Sequence, residues 1–156
     1  MDLTFRPIQD GDVPFIRRLI KDSPEWLKEE GESLDVYGIF NQYKYLQGQW
    51  LVWKENNSLV GISFLVESAP SNNRPWIGTI IVRKDKRRHG MGSSIIAKLL
   101  AMLKQDGHKI AYAAVPIENS SWINFLTICG FEQYKIEKNE DNKIYLLFVC
   151  PLESKE

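Results

Sequence analysis

The sequence predicts an α/β protein built on a mixed, mostly antiparallel sheet of about seven strands with flanking helices. Three observations carry this. Seven short runs rich in β-branched and aromatic residues are spread along the 156 residues. Polar clusters at 56–58 and 138–143 join four of these runs into two hairpins. Between residues 76 and 115 a β-rich run, an amphipathic segment and a second β-rich run follow one another, which allows one parallel pair.

Residues 3–8 (LTFRPI) alternate apolar and polar, as a strand does. Asp10 and Asp12 precede a helix carrying VPFIRRLI, in which Pro14 fits the first turn and an Asp caps the free amides. Ser23-Pro24 opens a further segment, and residues 25–47 read as one or two helices interrupted at Gly31 and Gly38. WLVWKE (50–55) and LVGISFLVE (59–67) flank Asn56-Asn57-Ser58 as a hairpin. SAPSNNRP (68–75) is loop by composition, and WIGTIIV (76–82) is a central strand. After the basic turn KDKRRHGMG, Ile95, Ile96, Leu99, Leu100, Met102 and Leu103 recur at helical spacing until Gly107. KIAYAAV (109–115) is a strand ended by Pro116. Asn119 or Ser120 caps a short helix that Gly130 ends, and FEQYKIE (131–137) and IYLLFVC (144–150) form the last hairpin. The whole length, 1–156, reads as one domain.

Composition narrows the function. Twenty basic residues balance twenty acidic ones, so bulk charge holds no nucleic acid here. Cys129 and Cys150 form neither a disulfide framework nor a zinc-ligand spacing, and no metal site is expected; both read as buried apolar thiols. No apolar stretch is long enough to span a bilayer, and MDLTFRPIQDGD lacks a signal peptide's cationic and apolar segments. A cytoplasmic protein is expected, with no membrane partner.

The chemistry concentrates in Arg87-Arg88-His89-Gly90-Met91-Gly92-Ser93, between a strand and a helix. The first amides of that helix have no intrahelical acceptor, and its dipole favours an anion. Gly90 and Gly92 let a ligand approach the backbone, and Arg87 and Arg88 add positive charge, so a phosphate or pyrophosphate is the expected guest. The P-loop pattern is missing, and the dinucleotide pattern would need a third Gly where Ile95 stands.

In this context R-x-x-G-x-G resembles the acetyl-coenzyme A signature of the GCN5-related N-acetyltransferase (GNAT) superfamily. Arg87, Gly90 and Gly92 occupy its fixed positions, and Val82 stands five residues before Arg87, where the family's fourth strand usually has valine. Asn119 through Phe131 (NSSWINFLTICGF), beginning 27 residues after Gly92, resembles the family's closing Asn–helix–Gly-Phe motif. The order of elements also matches, so the resemblance covers nearly the whole chain. It implies an acyl-CoA N-acyltransferase fold and direct transfer of an acetyl group from acetyl-coenzyme A, as co-substrate, to a primary amine of a small molecule or peptide. It further implies that the pantetheine arm lies between splayed fourth and fifth strands. The backbone of Ile80, Ile81 and Val82 would bond the arm and thioester, and the amides of Arg88, His89, Gly90, Met91, Gly92 and Ser93 would hold the pyrophosphate. Asn119 would bond the arm from the other side, and Ala111, Ala113 and Ala114 would leave it room.

Two family features are replaced. The usual tyrosine acid is Leu126, and the glutamate of the ribosomal-protein subfamily is Ala114. A base is still required, because an ammonium cannot attack a thioester. Glu67 and Glu118 are the alternative candidates, against readings as a solvated strand-end carboxylate and a helix-entry charge. Tyr112 and Tyr134 are further proton donors by type, against a packing role. Acids at 22–35 suit a polycation or a lysine-bearing peptide, or simply a solvated helix face. Trp26, Tyr37, Phe40, Tyr43 and Tyr45 suit an apolar acceptor pocket or the core. The rival function is a non-catalytic acyl-coenzyme A sensor or interaction module, and a homodimer is left open.

Overall fold

The computed structural model describes residues 2–30 and 35–152. In chain order these form β1 (Leu3–Pro7), α1 (Val13–Lys21), α2 (Pro24–Glu30), α3 (Val36–Tyr43), β2 (Gln49–Glu55), β3 (Ser58–Val66), β4 (Trp76–Val82), α4 (Met91–Gln105), β5 (Ile110–Pro116), α5 (Ser120–Ile128), β6 (Glu132–Lys138) and β7 (Ile144–Pro151). The strands make one seven-stranded sheet in the order β1-β2-β3-β4-β5-β7-β6. Every neighbouring pair is antiparallel except β4 and β5, which the α4 crossover makes parallel.

Alternation along the strands sends side chains to two apolar layers. Val52, Ile62 and Ile81 pack against Ile16, Leu19, Trp26 and Ile39 of α1–α3 on one face. Leu51, Trp53, Val60 and Ile80 pack against Ile95, Leu99 and Leu103 of α4 on the other. Strands β2–β4, buried on both faces, therefore read as continuous apolar runs.

Two local expectations are corrected. Asp12 stands at the N-terminus of α1 but does not cap it with its side chain. Its carboxylate instead accepts from both terminal nitrogens of Arg6, at 2.7 and 2.9 Å, and from the Gln9 amide at 2.9 Å. Arg6 thus pins β1 to the start of α1, and its guanidinium holds the Asp12 carboxyl below the usual carboxylate range. Gly38 does not interrupt a helix: it lies inside α3, where its N–H donates to Asp35, the N-cap. The segment 25–47 is two α-helices followed by a 3-10 turn at Lys44–Leu46, while Gly31 falls outside the described residues.

Candidate active site

The parallel pair β4–β5 is joined at a single point. Trp76 faces Tyr112, and the Tyr112 N–H donates to the Pro75 carbonyl at 2.9 Å. Beyond it the strands part. On its other side β4 stays bonded to β3, with a bulge where Gly78 is the extra residue between Thr79, opposite Phe64, and Ile77, opposite Leu65. The Arg83 N–H donates to Val60 on β3 at 2.7 Å. Backbone alternation then turns Ile81 toward β3 and the backbone groups of Ile80 and the Val82 N–H toward the gap, while the Val82 carbonyl accepts from Arg87 Nε at 2.8 Å. Two of the three residues named for the pantetheine arm thus present polar backbone to the opening.

The gap opens into a cavity of about 830 Å³, lined from both sheet faces. Gly78 and Thr79 of β4 face Ala113, Ala114 and Val115 of β5 across it. Asn119, Trp122 and Leu126 close it from α5. Toward the opposite face it is walled by Trp26, Tyr43, Tyr45, Phe64, Trp76 and Tyr145. The Trp26 Nε1–H donates to the Thr79 hydroxyl at 2.7 Å, so α2 is tied to the bulged part of β4 by a buried bond.

The turn before α4 has the shape an anion needs. Arg88 (φ 64°) and Gly90 (φ 80°) are both left-handed, which folds the backbone back on itself. The first bond of α4 runs from Ser94 to the Gly90 carbonyl, at 3.0 Å. The amides of Met91, Gly92 and Ser93 precede it and lack an intrahelical acceptor. A β-carbon on Gly90 would meet nothing within 4 Å, whereas one on Gly92 would lie 3.1 Å from the Phe125 ring. Gly92 therefore serves the packing of α5 on α4, and the two glycines differ in their physical reason.

Arg88 and His89 are exposed on this turn. Arg87 is aimed elsewhere than expected. Its Nε donates to the Val82 carbonyl at 2.8 Å, and its terminal nitrogens to the Asp22 carbonyl at 3.1 Å and the Ser23 hydroxyl at 2.7 Å. The guanidinium clamps the α1–α2 junction to the end of β4. Asn119 caps α5: its side-chain oxygen accepts from the Trp122 amide at 3.2 Å while the residue lines the cavity.

The carboxylates chosen from sequence lie at the margins. Glu67 and Glu118 are exposed, and each adjoins a lining residue, Val66 and Asn119, without itself lining the cavity. Tyr112 stacks on Trp76 at 4.9 Å, and Tyr134 is exposed beyond it; neither lines the cavity. Of the aromatic acceptor candidates, Trp26, Tyr43 and Tyr45 line it, and Tyr37 and Phe40 do not. Cys150 is buried and Cys129 half-buried, and burial pushes both thiols up. Sequence reasoning missed Asp141, Lys143 and Tyr145. The signal lay in strand order: β7 lies beside β5, with Tyr145 opposite Pro116, which carries the last hairpin to the cavity rim.

The acetyltransferase (GNAT) family profile matches residues 13–131. The uncharacterized protein YkzC of Bacillus subtilis (strain 168) is 36% identical over 137 residues, 88% of this chain and 96% of that protein. The chain belongs to the GNAT acetyltransferase family. Its fold is that of solved structures at low identity. A protein assigned to the GNAT family from Desulfovibrio desulfuricans superposes with a TM-score of 0.76 at 13% identity, over 97% of this chain and 100% of that one. A spermidine N-acetyltransferase chimera of the Vibrio cholerae and hSSAT proteins gives 0.73 at 19%, over 97% and 96%. The ribosomal-protein-S18-alanine N-acetyltransferase of Escherichia coli gives 0.65 at 13%, over 99% and 97%.

Proposed function

We propose that this chain acts as one domain that transfers an acetyl group from acetyl-coenzyme A to a primary amine of a small molecule or peptide. The observation that carries the reading is the open seam between β4 and β5, adjoining at the end of β4 the turn with unbonded helix amides. An extended arm fits that seam as a surrogate strand, bonded by the backbone of Ile80 and Val82, with Asn119 opposite. The amides of Met91, Gly92 and Ser93, with the turn Arg88-His89-Gly90, suit a pyrophosphate. Arg87 acts as a positioning residue that fixes this turn against β4 and α2.

Bound acetyl-coenzyme A supplies an activated acetyl carbon. The amine nitrogen bonds to that carbon as the carbon–sulfur bond breaks, the thiolate leaves, and the nitrogen sheds a proton. Amide dipoles of the bulged strand favour charge developing on the carbonyl oxygen. Glu67 and Glu118 receive the proton only through water, since neither touches the cavity. Zero net charge agrees with an acceptor that is not a nucleic acid. No helix among the described residues is long and apolar enough to cross a membrane.

Calorimetric titration with acetyl-coenzyme A, followed by thiol-release assays on an amine panel, tests this. Saturable binding and amine-dependent thiol release are expected. Absence of binding refutes the site, and binding without turnover of any amine establishes the sensor instead.

A further inference from the structure

Resting on the acetyltransferase reading, we infer that the acceptor is a monoamine carried on a planar aromatic body, not a polyamine. The walls of the acceptor half of the cavity are aromatic and come from five segments: α2, the 3-10 turn after α3 with Tyr43, β3, β4 and β7. The polar handles of its two tryptophans are already engaged within the protein. Trp26 donates to Thr79, and Trp76 donates to the Asn72 side chain at 3.1 Å. These indoles offer the acceptor ring faces and no hydrogen bonds. Phe64 meets Tyr43 edge to face at 4.9 Å, and Trp76 is stacked on Tyr112, so the faces are held in place before anything binds.

Charge on the lining points the same way. Among the described residues there, Asp141 is the one carboxylate and Lys143 the one ammonium. Lys143 stands over the Tyr145 ring at 5.9 Å from its centroid. A polyamine needs several acids along its length, and among the described lining residues it meets one, beside a lysine that repels it. Aromatic amines need a slot for the ring and one site for the ammonium, which ring faces and Asp141 together provide. About 830 Å³ is room for a thioester end and a one- or two-ring amine side by side.

The chemistry remains acetyl transfer: nitrogen–carbon bond formation with loss of the coenzyme thiolate and one amine proton. The test measures kcat/KM for phenethylamine, tryptamine, hexylamine, spermidine and a lysyl peptide at fixed acetyl-coenzyme A. It also measures calorimetric binding of phenethylamine to the coenzyme A-loaded protein. The two arylalkylamines are expected to exceed hexylamine and spermidine by about tenfold or more. Tyr45→Ala, at an exposed position where folding is not at stake, is expected to raise KM for phenethylamine severalfold and leave KM for acetyl-coenzyme A unchanged. A higher kcat/KM for spermidine or the lysyl peptide, parity of hexylamine with phenethylamine, or no heat with phenethylamine overturns the inference. Loss of acetyl-coenzyme A binding, read in its own titration, overturns the transferase reading instead.

Discussion

Gly90 and Gly92 share a motif but not a reason. At Gly90 the backbone is left-handed in open space, so a branched side chain strains the turn without hitting anything. Gly90→Val is therefore expected to weaken acetyl-coenzyme A binding more than tenfold by calorimetry while the melting temperature falls only slightly. At Gly92 the obstacle is the Phe125 ring, so Gly92→Val is expected to lower the melting temperature as well. The same separation applies to Arg87, whose guanidinium reaches Val82, Asp22 and Ser23. Both glycines were legible in the sequence as a loop-to-helix signature. The division of labour between them was not, because it depends on a ring 33 residues away in the chain.

At the scale of elements, two side-chain bonds decide how helices meet the sheet. Trp26 holds α2 to β4 through Thr79, which is buried. Thr79→Val keeps the shape but leaves the indole N–H without its acceptor, at an expected cost of about 1–3 kcal/mol in denaturant unfolding. Arg6 and Asp12 hold β1 to α1. Because the folded carboxyl of Asp12 lies below its unfolded value, its contribution is complete above about pH 4 and disappears as pH falls through the folded value. The melting-temperature gap between the native chain and Asp12→Asn should accordingly be widest at neutral pH and close in acid. Sequence pattern located all seven strands and four of the helical segments, since period and turn chemistry are local. It misjudged the role of Asp12, because a helix amide and the Arg6 guanidinium are both local partners for its carboxylate, and only the folded geometry chooses between them.

For the molecule as a whole, the parallel pair is the feature on which function turns. Six antiparallel or crossover joints could have closed the sheet completely; one, bonded only at Trp76 and Tyr112, leaves a seam. A ligand that completes the seam binds the native state alone, so acetyl-coenzyme A at about one hundred times its Kd should stabilise the fold by about 2.7 kcal/mol. A thermal-shift titration reads this directly, and no shift at saturation would contradict a strand-like mode of binding.

The sequence by itself determined the family, the element order and the glycine-containing turn before α4, because each is written in residues close together along the chain. Only the tertiary structure decided that Arg87 braces the fold, that Glu67 and Glu118 stand outside the cavity, and that Asp141, Lys143 and Tyr145 reach its rim. Those outcomes depend on which strands become neighbours and where one pair separates. Neighbourhood in a sheet is set by the packing of the whole chain against its helices, and no local window of residues records it.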